Sequence, residues 1–527
     1  MARMPSVMSH SFSQVSRANI PRSSFDRSRG YKSTFSSGLL YPIFFDEALP
    51  GDTYNVRMTG FARMATPIKP IMDNSYFNTF FFAVPNRLLW DNWQRFNGEQ
   101  TNPGDSTDYL VPEISMGATP FTAGSIYDYF GLPVGHTNLF VNALHLRAYN
   151  LIWNEWFRDE NLQVRVPTHR DDGPDPIADY VLLRRGKRHD YFTSCLPWPQ
   201  KGESVSLPLG SSAPIHAIPP YAPEFGVAGG SLGNLNAGAG TTTVGWTNAA
   251  PSSGAATWVD NKIYLEADLS TATASTINQL RQAFQIQRLY ERDARGGTRY
   301  TEIVRSHFGV VSPDARLQRP EYLGGGQSSV TVNPVAQTQR SDVADPTFTP
   351  QGNLAAIGTS TMHGHGFSKS FTEHCVIIGL ICVRADLTYQ QGLHRMWSRR
   401  SRFDYYWPAL SHIGEQAVLS KEIFADGSAG DETVFGYQER YAEYRYAPSL
   451  ITGEFRSSFP QSLDVWHLSQ DFSTRPLLNA AFIEEHPPFD RVVAVPSEPT
   501  FIFDSYFKVR CARPMPVYGV PGMMDHF

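Results

Sequence analysis

The chain has 527 residues, 41% of them hydrophobic and 13% aromatic, which is enough to fill a large core. Charged residues make up 18%, below the usual ~25%, and the net charge of −5 means the chain as a whole is no polycation. Four cysteines exclude a disulfide scaffold and read as reduced thiols in a cytosolic setting.

The charge is unevenly spread. Residues 1–32 carry Arg3, Arg17, Arg22, Arg27, Arg29 and Lys32 against Asp26 alone, six against one for a net of +5. Residues 1–38 are rich in Ser and Arg without apolar periodicity, and are expected to form an extended or mobile basic arm. A basic arm on an acidic body suits contact with phosphate. Met1-Ala-Arg-Met-Pro-Ser6 lacks the apolar stretch of a secretory signal, and no run is long enough to span a bilayer.

Strand-like runs follow at Leu39–Glu47, Thr53–Met64 and Tyr76–Val84, with a turn at Leu49-Pro-Gly-Asp52. After Pro85 the spacing turns helical as far as Trp93, and residues 98–137 read as loop. Asn138 is the expected N-cap of a helix over Leu139–Glu160, with Phe140, Leu144, Leu151, Ile152 and Trp156 on its apolar face.

Arg184, Arg185, Lys187 and Arg188 stand just before Tyr191, Phe192 and Trp198. Cations beside aromatics suit phosphate contact with base stacking. The plainer reading is a solvated loop or an intersubunit salt-bridge patch.

Residues 203–276 differ from the rest. Gly, Ala, Ser and Thr dominate, and no residue from Phe225 to Val259 is charged. A stretch this long reads as an insertion, either functional or disordered. Its apolar residues Phe225, Leu232, Leu235, Val244, Trp246 and Trp258 need a neighbour or partner to cover them.

Thr276-Ile-Asn-Gln279 forms a capping box. It opens a helix with Ile277, Leu280, Phe284 and Leu289 on one face, stopped by Gly296-Gly297. A shorter helix is expected over Tyr300–Phe308. Gly324-Gly-Gly326 lacks the Gly-Lys-Ser/Thr ending of a phosphate loop and reads as a bend before a strand at Ser328–Val335. Further strands are expected at Phe367–Glu373, Gln416–Phe424, Val434–Tyr446, Asp464–Leu468 and Phe501–Arg510.

The most apolar run is Cys375–Val383. It is rich in β-branched residues and too short for a confident helix, so it reads as a strand buried on both faces. Tyr76–Val84 and Phe501–Val509 are its candidate sheet partners. Taken together, the runs give a mainly β protein of two packed antiparallel sheets with long excursions.

No stretch reads as a catalytic site. His363-Gly-His365 with His374 matches no zinc spacing, and no nucleophile elbow or dinucleotide fingerprint is present. Tyr437, Arg440, Tyr441, Tyr444 and Arg445 form a dense patch of the residue types enriched at protein interfaces. The competing class is a carbohydrate-binding or hydrolase β-sandwich, which lacks a supporting motif.

Three stretches carry a resemblance: Asn78-Thr-Phe-Phe-Phe-Ala-Val-Pro-Asn-Arg-Leu88, Glu291-Arg-Asp-Ala-Arg-Gly-Gly-Thr-Arg-Tyr-Thr-Glu302 and Ser312-Pro-Asp-Ala-Arg-Leu-Gln-Arg-Pro-Glu-Tyr322. Arg384-Ala-Asp-Leu-Thr-Tyr-Gln-Gln-Gly392 and Ala512–Tyr518 agree with them. The chain resembles the major capsid proteins of microviruses of the gokushovirus type, from about Asn19 to Phe527. The resemblance implies a single eight-stranded antiparallel jelly roll with large inserted loops and several helices. It implies a non-enzymatic protein without cofactors, sixty copies of which form a T=1 shell around a circular single-stranded DNA genome. The implied partners are an internal scaffolding protein, a pilot protein, a small basic DNA-binding protein and a host receptor. The implied location is the virion, with assembly in the host bacterial cytoplasm. Within this frame Arg22, Arg27, Arg29, Lys32 and the 184–188 cations become candidates for DNA contact. Residues 203–276 become the receptor-facing threefold protrusion, and the Tyr437–Arg445 patch a subunit interface.

Overall fold

The computed structural model describes residues 21–115, 119–201, 277–341 and 349–518, together with the backbone of six short strands between 215 and 267. The chain divides into two compact units, one formed by residues 1–199 and 296–527, the other by residues 200–295.

The first unit is built on two antiparallel sheets. The strands of these two sheets in chain order are β1 (Ser23–Asp26), β2 (Arg29–Phe35), β3 (Tyr41–Ala48), β4 (Thr53–Met64), β5 (Ser75–Pro85), β6 (Glu321–Ser329), β7 (Thr331–Ala336), β8 (Leu354–Ser370), β9 (Cys375–Ala385) and β10 (Phe501–Arg513). One sheet runs β1-β10-β4-β8-β7, with β2 also paired to β10; the other runs β6-β5-β9-β3. The chain changes sheet at β2 to β3, β3 to β4, β4 to β5, β6 to β7, β8 to β9 and β9 to β10. This alternation is the winding of a jelly roll. These two sheets together hold ten strands: β1 and β2 share one edge of β10, and β7 adds an edge strand beyond β8.

Burial follows sequence pattern. β4 and β10 alternate buried and exposed residues along nearly their whole length, as strands with one wet face do. β9 is buried at all its positions, as its unbroken apolar run predicts. Its two faces feed different cores. Ile377, Ile381 and Val383 meet Phe35, Phe77, Phe81, Phe503 and Phe507 between the sheets. Val376, Ile378, Leu380 and Cys382 meet Trp90, Leu144, Tyr149, Ile152 and Trp153 in an outer layer. β9 thus sits between β5 and β3, while Phe501–Val509, expected beside it, lies in the opposite sheet against β4. Tight spacing enforces glycine at Gly379, where an added Cβ would lie 2.8 Å from atoms of both Phe44 and Phe81.

Several expected elements shift. The helix expected from Leu139 begins at Leu144 (α1, Leu144–Ile152), continues as a π-turn through Phe157, and uses the Asn142 side chain, which accepts from the Leu144 N–H at 2.8 Å. Asn138 lies before it with φ 59°, and Phe140 is in a short strand and exposed. Gly324–Gly326 lies inside β6 with a register shift beside it, and Gly326 is pressed against the His365 ring. Asp464–Trp466 is a 3-10 turn and no strand. His363–His365 is strand with a bulge, and buried His365 hydrogen-bonds Thr79 Oγ1 at 2.9 Å.

The second unit carries a four-stranded antiparallel sheet in the order Val244–Trp246, Gly233–Ala237, Glu224–Gly226, Thr257–Trp258, and a two-stranded pair of Ile215–Ala217 with Leu265–Ala267. Its helix, α2, spans Ile277–Gly296. Ile277, Leu280, Phe284 and Leu289 are all exposed there. Thr276, the expected cap, lies outside the described residues. In the first unit α3 spans Tyr300–Phe308, as expected.

Candidate nucleic-acid and assembly surfaces

The cations singled out for DNA contact are mostly engaged within the chain. Residues 23–26 and 29–35 are strands of the sheet, so this part of 1–38 takes the extended and not the mobile form of the expected arm. Arg27 and Arg29 converge on the buried Asp46, at 2.8 and 3.5 Å. Arg29 also lies over the Phe44 ring at 4.7 Å. Arg22 donates to Thr53 Oγ1 at 2.6 Å. Arg22 and Lys32 are the exposed members of the four, and Lys32 forms an ion pair with Asp504 at 3.3 Å.

The 183–188 segment is neither a solvated loop nor a free patch. It is laced between residues 38–40 and 483–485: Arg185 N–H donates to Gly38 O, Leu40 N–H to Leu183 O, and Lys187 N–H to Ile483 O. Arg184 donates to Glu485 O at 3.1 Å. Arg185 lies over Phe80 at 4.8 Å, and burial pulls its guanidinium down to about 10. Lys187 is buried over Phe482 at 4.4 Å, and burial pulls its ammonium down to about 8. Arg188 pairs with Asp386 at 3.1 Å. Glu485, fully buried, feels the positive charge of Lys187 and Arg185, and Arg384 stands 3.6 Å from it. These cations tie three distant segments together, so Arg185 and Lys187 are not placed to meet phosphate.

One group has metal-ligand geometry among the described residues: His169, Asp171 and Asp175. Its charge is already matched. Arg147, buried itself, pairs with Asp175 at 2.5 Å and with Asp171 at 3.3 Å, and Tyr180 O–H donates to Asp175. His169 is bonded to Asp179. The group is therefore an ion-pair network, buried at Arg147 and Asp175 and open to solvent at Asp171.

The Tyr/Arg patch is partly at the surface. Tyr444 and Arg445 are exposed, Tyr437 and Arg440 are half-buried, and Tyr441 is buried. Tyr437 exchanges backbone hydrogen bonds with Leu196, and Arg445 pairs with Glu439. The patch extends through a segment that sequence reasoning missed. Trp397, Phe403, Tyr405, Tyr406 and Trp407 are all exposed within eleven residues of chain, Trp397 by 72%. Tyr406 stacks edge-on to Tyr441 at 5.2 Å, Arg399 covers Tyr444 at 4.1 Å, and Arg440 donates to Phe403 O at 3.1 Å. An aromatic surface of this extent on one subunit is the kind that another subunit covers. The signal available in sequence was the density of aromatic and Arg residues from 395 to 407.

In the insertion, Phe225 and Trp258 are register partners, as are Leu235 and Trp246; Val244 lies in the outermost strand, and Leu232 is outside the described residues. No helix among the described residues is long and apolar enough to cross a membrane. All four cysteines are buried and unpaired with one another.

Comparison with known proteins agrees with this architecture. The family model described as capsid protein (F protein) matches residues 13–523. The chain is 52% identical to the capsid protein VP1 of Bdellovibrio phage phiMH2K, over 98% of each chain. It is 46% identical to the capsid protein VP1 of Chlamydia phage 1 over 99% of each, and 36% identical to that of Spiroplasma virus 4 over 98% and 97%. The chain therefore belongs to the F-protein family of phage capsid proteins, and is a microvirus-type major capsid protein with a structural rather than an enzymatic role.

Proposed function

We propose that sixty copies of this chain close into a T=1 icosahedral shell around a circular single-stranded DNA genome, and that residues 203–276 form protrusions for host attachment at the threefold axes. The observation that carries the reading is a match to phage capsid proteins along almost the whole chain, on a jelly roll with a broad exposed aromatic surface. An exposed surface of aromatic and Arg residues, the types enriched at protein interfaces, supports assembly from identical subunits. The small sheet of the second unit supports a formed surface over a featureless linker. Internal scaffolding, pilot and small basic DNA-binding proteins are the expected partners, in the cytoplasm of a host bacterium.

Electron microscopy of the purified protein, expressed with its scaffolding partner, tests assembly. Closed shells of uniform size are expected, and an inert monomer under all conditions would refute the reading. Replacing residues 226–256 with a short turn tests attachment, because loop shortening costs little closure entropy. Shells should still form and package DNA but fail to adsorb to host cells. Normal adsorption would remove the attachment role.

A further inference from the structure

The outer face of the sheet formed by β2, β10, β4 and β8 is open to solvent. Along β4 the outward residues are Asn55, Arg57, Thr59, Phe61 and Arg63; along β10 they are Ile502, Asp504, Tyr506, Lys508 and Arg510. Arg57 and Lys508 are register partners, two like charges directly opposite one another. Such a pair destabilises a sheet unless something anionic lies over it. No ion pair or hydrogen bond engages the side chains of Arg57, Arg63 or Lys508 among the described residues. Two acids share the face. Asp504 is taken by Lys32 at 3.3 Å, and Asp26 lies opposite Arg510 and accepts from Ser28. Five cations thus face two acids. Between them stand two exposed rings, Phe61 at 46% and Tyr506 at 54%. Phe61 is the register partner of Asp504 and Tyr506 that of Thr59, so the rings are diagonal neighbours in the middle of the cationic field.

We propose that this open sheet face binds single-stranded DNA, with Arg57, Arg63, Lys508 and Arg510 on phosphates and Phe61 and Tyr506 stacking on bases. The proposal rests on the reading of the chain as a shell around such a genome, and it turns this face toward the interior. A flat sheet presenting cations around central aromatic rings is a general platform for unpaired bases, because every base offers a π-face. A duplex hides those faces in its own stack. The excess of cations disfavours a basic protein as occupant. It also disfavours a second copy of the same face, which would bring Arg57 and Lys508 toward their own duplicates.

The test uses full-length protein and a fluorescent thirty-nucleotide oligo(dT), titrated by anisotropy at several salt concentrations. Single-stranded binding should weaken with salt at a log–log slope of about −0.7 per phosphate neutralised. Replacing Arg57, Arg63, Lys508 and Arg510 with Gln should flatten that slope by about 3 if all four meet phosphate. Replacing Phe61 and Tyr506 with Ala should weaken binding about tenfold or more while leaving the slope unchanged. A control set, Arg281→Gln, Arg305→Gln, Arg316→Gln and Arg340→Gln, makes the same change in net charge at scattered positions and should have little effect. Thermal unfolding of each variant checks folding, and the pair Lys508→Gln with Arg510→Gln replaces the full set if that set does not fold. Equal losses for face and control sets, or wild-type binding in both face variants, would overturn the proposal. So would face variants that bind oligo(dT) normally but fail to form shells, which would make the face a subunit contact. The DNA content of purified wild-type shells separates the two readings: shells without single-stranded DNA sink the functional reading itself, whereas DNA-filled shells with unaffected face variants sink only this site.

Discussion

The two sheets of the jelly roll are built from the same kinds of residue but live under different rules. The sheet β6-β5-β9-β3 is covered on both faces along β9, by the intersheet core and by the layer of α1, Trp90 and Trp153. The opposite sheet is covered on one face only, and alternates along β4 and β10. In the first sheet and the layer that covers it, buried charge is matched, as at Arg384 of β9 with Glu485 and at Arg147 of α1 with Asp175. In the second, cations stand unmatched because water solvates them. Burial, and not residue type, therefore decides which substitutions are felt as lost stability and which as lost binding.

The sharpest contrast is expected at Arg147. Arg147→Ala leaves Asp175 buried beside Asp171 without its cation, which costs about 3–5 kcal/mol for a broken buried pair. Urea unfolding, or loss of soluble protein, reads this directly. Ile381→Ala on β9 removes a side chain wholly within the intersheet core and is expected to cost about 2–5 kcal/mol. A loss below ~1 kcal/mol at either position would mean the covered sheet is looser than its packing indicates.

Much of this organisation is legible in sequence. The apolar run of β9 and the alternation in Thr53–Met64 announce one strand buried twice and one buried once. The same signal could have corrected the pairing of Phe501–Val509. Its polar residues at every second position, Asp504, Tyr506 and Lys508, belong to a strand with a wet face, which β9 has not. The basic clusters were less readable for a physical reason. Whether Arg185 or Lys187 is free depends on segments about 300 residues later, at 482–485, and spacing along the chain carries no information about them. The cations of β4 and β10 stand one strand apart although some 450 residues separate them in sequence, so no local motif marks the face. The 3-10 turn at Asp464–Trp466 was read as strand because its apolar residues anchor an irregular segment.

Lys187 tests the covered region through pH. Its ammonium is pulled from 10.5 to about 8 by burial, so the charged form is disfavoured in the fold. That cost is fully present below pH 8 and is relieved as pH rises toward 10.5, where the unfolded chain still holds the proton. Lys187→Met should therefore be more stable than the parent at pH 7, by on the order of 1–3 kcal/mol, with Arg384 left to face Glu485. The gap should narrow between pH 8 and 10.5 in parallel melting curves. A gap independent of pH would show that packing, and not charge, produced it.

The smallest effect on stability is expected on the open face. Asp504 is 55% exposed at its side chain, and its pair with Lys32 is more exposed still on the lysine side, at 79%. Water and salt screen such a pair to a contribution of about 0–1 kcal/mol. Asp504→Asn is nearly isosteric, keeps the strand hydrogen bonds, and should shift unfolding by no more than about 0.5 kcal/mol. Its effect should appear elsewhere. The substitution removes one of the two acids on the face and frees Lys32 beside Phe61 and Tyr506, so oligo(dT) should bind more tightly and with a steeper salt dependence. A stability loss as large as that expected at Arg147 would place Asp504 in a structural network and erase the distinction between the sheets. Unchanged affinity, with stability also unchanged, would leave the sheet face open to water but remove it from DNA binding.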